Sequence, residues 1–176
     1  MLFRSLFNNV AVGAAHAMAR GIERVAIVDF DVHHGNGTQD IFWRTPNVLY
    51  ASTHQSPLYP GTGARNETGA GNIVNAPLPP GAGRAEFRAA FEQIILPALR
   101  DAKPQVVMIS AGFDAHRLDP LADLNLEADD YAWATSELVD IAQKFASGRV
   151  ISSLEGGYSP VALRESTAAH VAAMID

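Results

Sequence analysis

Apolar positions along the 176-residue chain fall into short unbroken runs and helically spaced repeats, and the two kinds alternate. Residues 10–20 are alanine-rich and predict a helix, with Asn8 or Asn9 as its cap and Gly21 as its end. Residues 24–30, Arg-Val-Ala-Ile-Val-Asp-Phe, are rich in β-branched side chains and predict a strand buried on both faces. Val48 to Ser52 predicts a second strand. Residues 53–83 are crowded with Gly, Pro, Asn and Ser and read as a long loop with a short strand at Ile73–Val74. Loops of that length inside a compact domain tend to carry function. From Ala85 to Ala102 the apolar spacing is helical (Phe87, Phe91, Ile94, Ile95, Leu99), with a kink expected at Pro97. A third strand at Gln105–Ser110, an amphipathic helix over 128–146, a fourth strand at Val150–Leu154 and a last helix from Pro160 to Met174 complete the pattern. Strands alternating with helices imply an α/β fold, a parallel sheet flanked by helices on both faces. No repeat, low-complexity tract or linker interrupts it, so residues 1–176 read as a single domain.

Composition narrows the chemistry. Hydrophobic residues make up 48% and charged residues 18%, the balance of a folded globular chain. A net charge of −6 speaks against nucleic acid or an anionic membrane as the main partner. The absence of cysteine excludes disulfides, thiolate metal ligands and a cysteine nucleophile, so any metal must rest on histidine and carboxylate. No apolar run approaches the ~20 residues of a membrane span. The first nine residues are too short and too soon interrupted for a secretory signal, and the expected location is cytoplasmic.

Position is the informative feature, because each strand runs into a polar cluster at its carboxyl end. The first leads to Asp29-Phe-Asp31-Val-His33-His34-Gly-Asn36-Gly37, the second to Ser52-Thr-His54, the third to Ala111-Gly-Phe-Asp114-Ala-His116, the fourth to Glu155-Gly-Gly-Tyr158. Open α/β sheets bind ligands in the crevice beyond those ends. Asp31 and His33, two apart on an extended segment, project to one side and can share a cation. Asp114 would complete three protein ligands, the pattern of catalytic rather than structural zinc. The alternative is that Asp31 and His33 cap a turn. Asp29, one step deeper, has three readings: it orders an imidazole, holds a monovalent cation, or bonds backbone N–H groups. Gly156 and Gly157 allow close backbone approach. Tyr158 then either aims a hydroxyl at a developing oxyanion or packs in a turn.

Taken together, Val28–Thr38, Tyr59-Pro-Gly-Thr-Gly63, Ser110–His116 with Asp119-Pro-Leu121, and Leu154-Glu-Gly-Gly-Tyr158 resemble the histone deacetylase superfamily. The style is that of its bacterial class II branch, with acetylpolyamine amidohydrolases and acetoin-utilisation-type proteins. The resemblance runs from about Leu6 to the C-terminus and implies an arginase-like α/β sheet. It implies zinc on Asp31, His33 and Asp114, with Tyr158 as the transition-state hydroxyl. It further implies potassium near Asp29 and Ser52 with carbonyls including that of Thr53, and a substrate tunnel near Tyr59, Leu121, Gly156 and Gly157. The implied reaction is zinc-assisted removal of acyl groups from amines, acetyl-lysine or acetylpolyamine. The binuclear manganese chemistry of arginases is set aside, because Gly35 and His116 stand where further carboxylates would be needed.

The family also places a Pro-Gly-His-His segment, its general base and acid, shortly before the region matching Leu6–Asn9. These 176 residues contain none, and Arg4 stands roughly where the family has a tunnel phenylalanine. The expectation is a deacetylase with impaired amide hydrolysis, its N-terminal portion missing through truncation or a misplaced start. The other reading is a non-catalytic metal-binding remnant or interaction module. An uncovered sheet edge and self-association are expected in either case.

Overall fold

A computed structural model describes residues 7–175, so the expectation attached to Arg4 lies outside the described residues. Helix α1 (Asn9–Ala19) starts where the Asn8 side chain accepts the Ala11 N–H at 2.9 Å. Strand β1 (Val25–Asp29) is followed by α2 (Asn36–Phe42), β2 (Val48–Gln55) and β3 (Ile73–Leu78). Next come α3 (Arg84–Ala90), a π-helical turn over Phe91–Ile95, and α4 (Leu96–Ala102). Strand β4 (Val106–Ala111), α5 (Ala128–Phe145), β5 (Val150–Leu154) and α6 (Pro160–Ile175) end the chain.

The five strands are all parallel in the order β3-β2-β1-β4-β5. The chain moves outward from β1 through β2 to β3, then returns to the other side of β1 for β4 and β5. The order therefore reverses between β1 and β4, which is where an open α/β sheet forms its binding crevice. One sheet face (Ala26, Val28, Ala51, Val107, Ile109) packs against the α3–α4 segment and α5. The opposite face (Ile27, Tyr50, Met108) packs against α1 and Phe42. Burial on both faces is why β1, β2 and β4 read as unbroken apolar runs.

Four local features differ from expectation. Strand β2 continues past Ser52 to Gln55, so Thr53 and His54 lie within the strand rather than beyond it. The short strand expected at Ile73–Val74 within the 53–83 loop runs on to Leu78 as the six-residue edge strand β3, whose Pro77 is tolerated because an edge strand has one unpaired side. Helix α2 was not expected, since two of its first positions follow or contain glycine and it spans only seven residues. The kink foreseen at Pro97 takes the form of the π turn just before it, which relieves the missing N–H of proline.

Strand β5 differs from its neighbours. Val107 N–H donates to the Arg149 carbonyl, and Glu155 N–H to the Ala111 carbonyl. This phase leaves the backbone polar groups of Val150, Ser152 and Leu154 on the open edge. Ile151 and Leu154, on opposite faces, are 54% and 58% exposed.

Candidate metal centre and active site

Beyond β1 the chain turns through Asp31-Val32-His33, and beyond β4 through Gly112-Phe113-Asp114. Donor atoms of Asp31, His33 and Asp114 all lie within 4.8 Å of one another, the one such histidine–carboxylate group among the described residues. His33 Nδ1 is 3.1 Å from Asp31 Oδ1 and 3.1 Å from Asp114 Oδ2. Backbone bonds hold both carboxylates: His33 N–H and Gly156 N–H donate to Asp31 at 2.9 Å each, and Val32 N–H donates to Asp114 at 3.0 Å. Burial pushes the His33 imidazole down, but bonds to Asp114 and Asp31 and their charges outweigh it and raise its pKa to about 9. Two carboxylates and an imidazole converging around one point suit a small dication of zinc type.

Glycine makes that approach possible. A Cβ on Gly112 would stand 2.2 Å from Asp31 Oδ2, closer than any side chain tolerates. A Cβ on Gly35 would stand 2.5 Å from both Asp29 Oδ2 and the Tyr50 hydroxyl. Asp29 is buried beneath the cluster, accepting from Asp31 N–H at 3.1 Å and from the Tyr50 hydroxyl at 3.0 Å. Burial first, and then the nearby Asp31 charge, push its carboxyl well above the usual range. Gly156, Gly157 and Tyr158 arrive from β5, tied to the cluster by the Gly156–Asp31 bond and to Phe113 N–H through the Gly156 carbonyl at 2.7 Å.

The histone deacetylase domain matches residues 5–174 of this sequence. The chain belongs to the histone deacetylase family. It is 43% identical over 168 residues to histone deacetylase 10, chloroplastic, of Oryza sativa subsp. japonica, covering 93% of this chain and 38% of that protein. It is likewise 43% identical to a histone deacetylase-like amidohydrolase of Pseudomonas aeruginosa, over 87% of this chain and 42% of that one. The solved HDA15 HD domain superposes with a TM-score of 0.93 at 39% identity, covering 99% of this chain and 50% of that one. The chain thus spans half or less of the length of these relatives.

In this deacetylase-family chain the remaining sequence-derived positions are scattered more widely. Ser52 pairs in register with Asp29, but its hydroxyl meets His54 Nδ1 at 2.9 Å. Strand alternation turns the Thr53 side chain to the other face, so only its carbonyl can share a site with Ser52. Tyr59 is 72% exposed on the loop after β2, and Leu121 is partly exposed on the loop after β4. No hydrogen bond or ring contact joins either to the carboxylate–histidine cluster among the described residues. The Tyr59 loop is anchored by a buried network that the sequence pattern does not reveal. His34 bonds Thr62 and Gln39, Gln39 donates to Glu67, Glu67 accepts from Gly63 N–H, and His54 reaches the Gly63 carbonyl. Burial lowers the His34 pKa; burial and the neighbouring His34 lower that of His54 to about 4. Gly63, at φ +89°, fits against both rings where a Cβ would be 2.4 Å from His54 Nε2. The signal for Gly112 and Gly63 was present in the sequence as glycines beside polar clusters, but only the fold says what each one meets.

Proposed function

We propose that this chain is the metal-holding and oxyanion-stabilising part of a zinc-dependent amidohydrolase that removes acyl groups from amines of the acetyl-lysine or acetylpolyamine type. The supporting observation is the convergence of Asp31, His33 and Asp114 at the β1–β4 switch point, with the Tyr158 segment bonded to one of the three. Zinc held there would polarise the acyl carbonyl and acidify a water molecule. Asp31 and Asp114 contribute charge and are held in place by backbone N–H groups; His33 must first give up its Nδ1 proton. Tyr158 donates a hydrogen bond to the developing oxyanion. The other histidines are engaged elsewhere: His34 and His54 in the loop network, His116 accepting from Leu118 N–H, His170 between Thr135 and Ser152. His16 lies on α1. None is placed to protonate a departing amine, help worth roughly 10²–10⁴-fold in rate. An aryl acetate needs no such proton.

With zinc added, the chain is expected to hydrolyse an aryl acetate slowly and an acetyl-lysine amide negligibly. The ester activity should vanish with a chelator or with Asp31→Ala and fall about 10²-fold with Tyr158→Phe. Robust amide turnover that depends on Asp31 would overturn the account of the proton shuttle. Potassium held by Asp29, Ser52 and the Thr53 carbonyl belongs to the same proposal.

One observation favours the second reading, a non-catalytic metal-binding module that associates with copies of itself. The β5 edge carries no charge and no proline, and Ile151 and Leu154 stand exposed on its two faces, features that invite edge pairing. Sedimentation showing a monomer at all concentrations, unchanged by Ile151→Lys, would remove that reading.

A further inference from the structure

Asp119 belongs to no metal cluster, yet its buried carboxylate joins the two segments that border the site. One oxygen accepts from Tyr158 N–H at 2.7 Å and from Ser159 N–H at 3.3 Å. The other accepts from Leu121 N–H at 3.1 Å, while the Asp119 N–H donates to the His116 carbonyl at 2.8 Å. Upstream, Gly156 is held on both sides, by Asp31 through its N–H and by Phe113 through its carbonyl. Between the two anchors sits Gly157 at φ +138°, a conformation side-chain-bearing residues rarely adopt. Two successive glycines give the backbone more freedom than any other pair. A tyrosine carried on them has no local means of keeping its place. A carboxylate that accepts several backbone N–H groups supplies that restraint through charge-assisted bonds.

We propose that Asp119 is a positioning residue that clamps the Gly-Gly-Tyr segment and the Leu121 loop together, so that the Tyr158 hydroxyl stands ready over the metal centre. The inference rests on the reading of Tyr158 as the oxyanion donor and adds what holds it there. It makes the glycine pair and Asp119 one unit: the glycines permit the close approach, and the carboxylate removes the freedom they bring.

The test compares Asp119→Ala and Asp119→Asn with the unaltered chain, in two measurements. In the metal-free protein, amide hydrogen exchange of Tyr158 and Ser159 should quicken at least about tenfold in Asp119→Ala while the amides of β4 stay within about twofold. With zinc and an aryl acetate, kcat should fall about 10- to 100-fold with KM within about twofold. The double variant Asp119→Ala/Tyr158→Phe should be no slower than Tyr158→Phe, because both changes remove one interaction. Asp119→Asn keeps one acceptor oxygen and should fall between; it carries the test if the alanine variant does not fold. Unchanged exchange at Tyr158, or rate losses that multiply in the double variant, would overturn the proposal. A slowed Tyr158→Phe beside an unaffected Asp119→Ala removes the clamp alone. An unaffected Tyr158→Phe removes the oxyanion role of Tyr158 and the clamp with it.

Discussion

Raising the pH from about 7 to about 9 should tighten zinc binding roughly 50-fold, close to tenfold for the first unit and less as the pH reaches the pKa, because a bound cation must replace a proton. In the metal-free chain His33 Nδ1 lies between Asp31 Oδ1 and Asp114 Oδ2, 3.1 Å from each. Burial alone would lower its pKa; the bonds and charges of the two carboxylates outweigh it and bring it to about 9. At neutral pH the imidazole therefore carries a proton that zinc must displace. That competition amounts to about 2.3 kcal/mol of binding free energy across the two pH units. Above pH 9 the imidazole is already neutral and the slope should flatten. The assay is competition against a chromophoric chelator at several pH values, corrected for the protonation of the chelator itself. Calorimetry in buffers of different ionisation enthalpy should count about one proton released per zinc near pH 7. Asp114→Asn removes one of the charges that retain the proton, so it should weaken zinc binding and lessen the pH slope together. A dissociation constant that is flat between pH 6.5 and 8.5, with well under half a proton released, would refute the reasoning.

Other expectations follow from single contacts. Gly112→Ala drives a Cβ into Asp31, which backbone bonds prevent from moving aside; zinc affinity should drop at least about tenfold and stability by about 1–3 kcal/mol, measured by chelator competition and denaturant unfolding. An unaltered zinc affinity would show that Asp31 is not held against that glycine. His170 is buried with Nδ1 at 2.6 Å from Thr135 and Nε2 at 2.8 Å from Ser152, and burial lowers its pKa to about 4. The unfolded chain binds that proton from about pH 6.5 downward, so the stability due to a neutral His170 is complete above 6.5 and lost towards pH 4, at most about 3 kcal/mol. The denaturation midpoint should fall over that window, and less steeply in His170→Asn; equal slopes would exonerate His170. If Asp29, Ser52 and the Thr53 carbonyl hold potassium, potassium chloride should raise Tm above its value in choline chloride of equal ionic strength, and no difference would remove that site.

The sequence by itself determined what is local. Strands β1, β2 and β4 announce themselves because a strand buried on both faces must be apolar throughout, and Asp31 and His33 need only a two-residue period to share a side. The family motifs lie in the same short stretches, which is why the deacetylase resemblance was legible. Strand β3 was legible only at Ile73–Val74; Pro77 hid the rest of it, since local chemistry there argues for a loop and only pairing with β2 extends the strand to Leu78. The tertiary structure alone decided what depends on strand order. Asp114 meets His33 across 81 positions of chain because β4 lies beside β1, and Asp119 reaches Tyr158 across 39 because the loop after β4 folds over the end of β5. The same order sets Gly112 against Asp31 and leaves β5 at an open edge. No periodicity within a segment encodes those neighbours: contacts between distant segments are chosen by how the buried faces pack together, and the chain learns them only by folding.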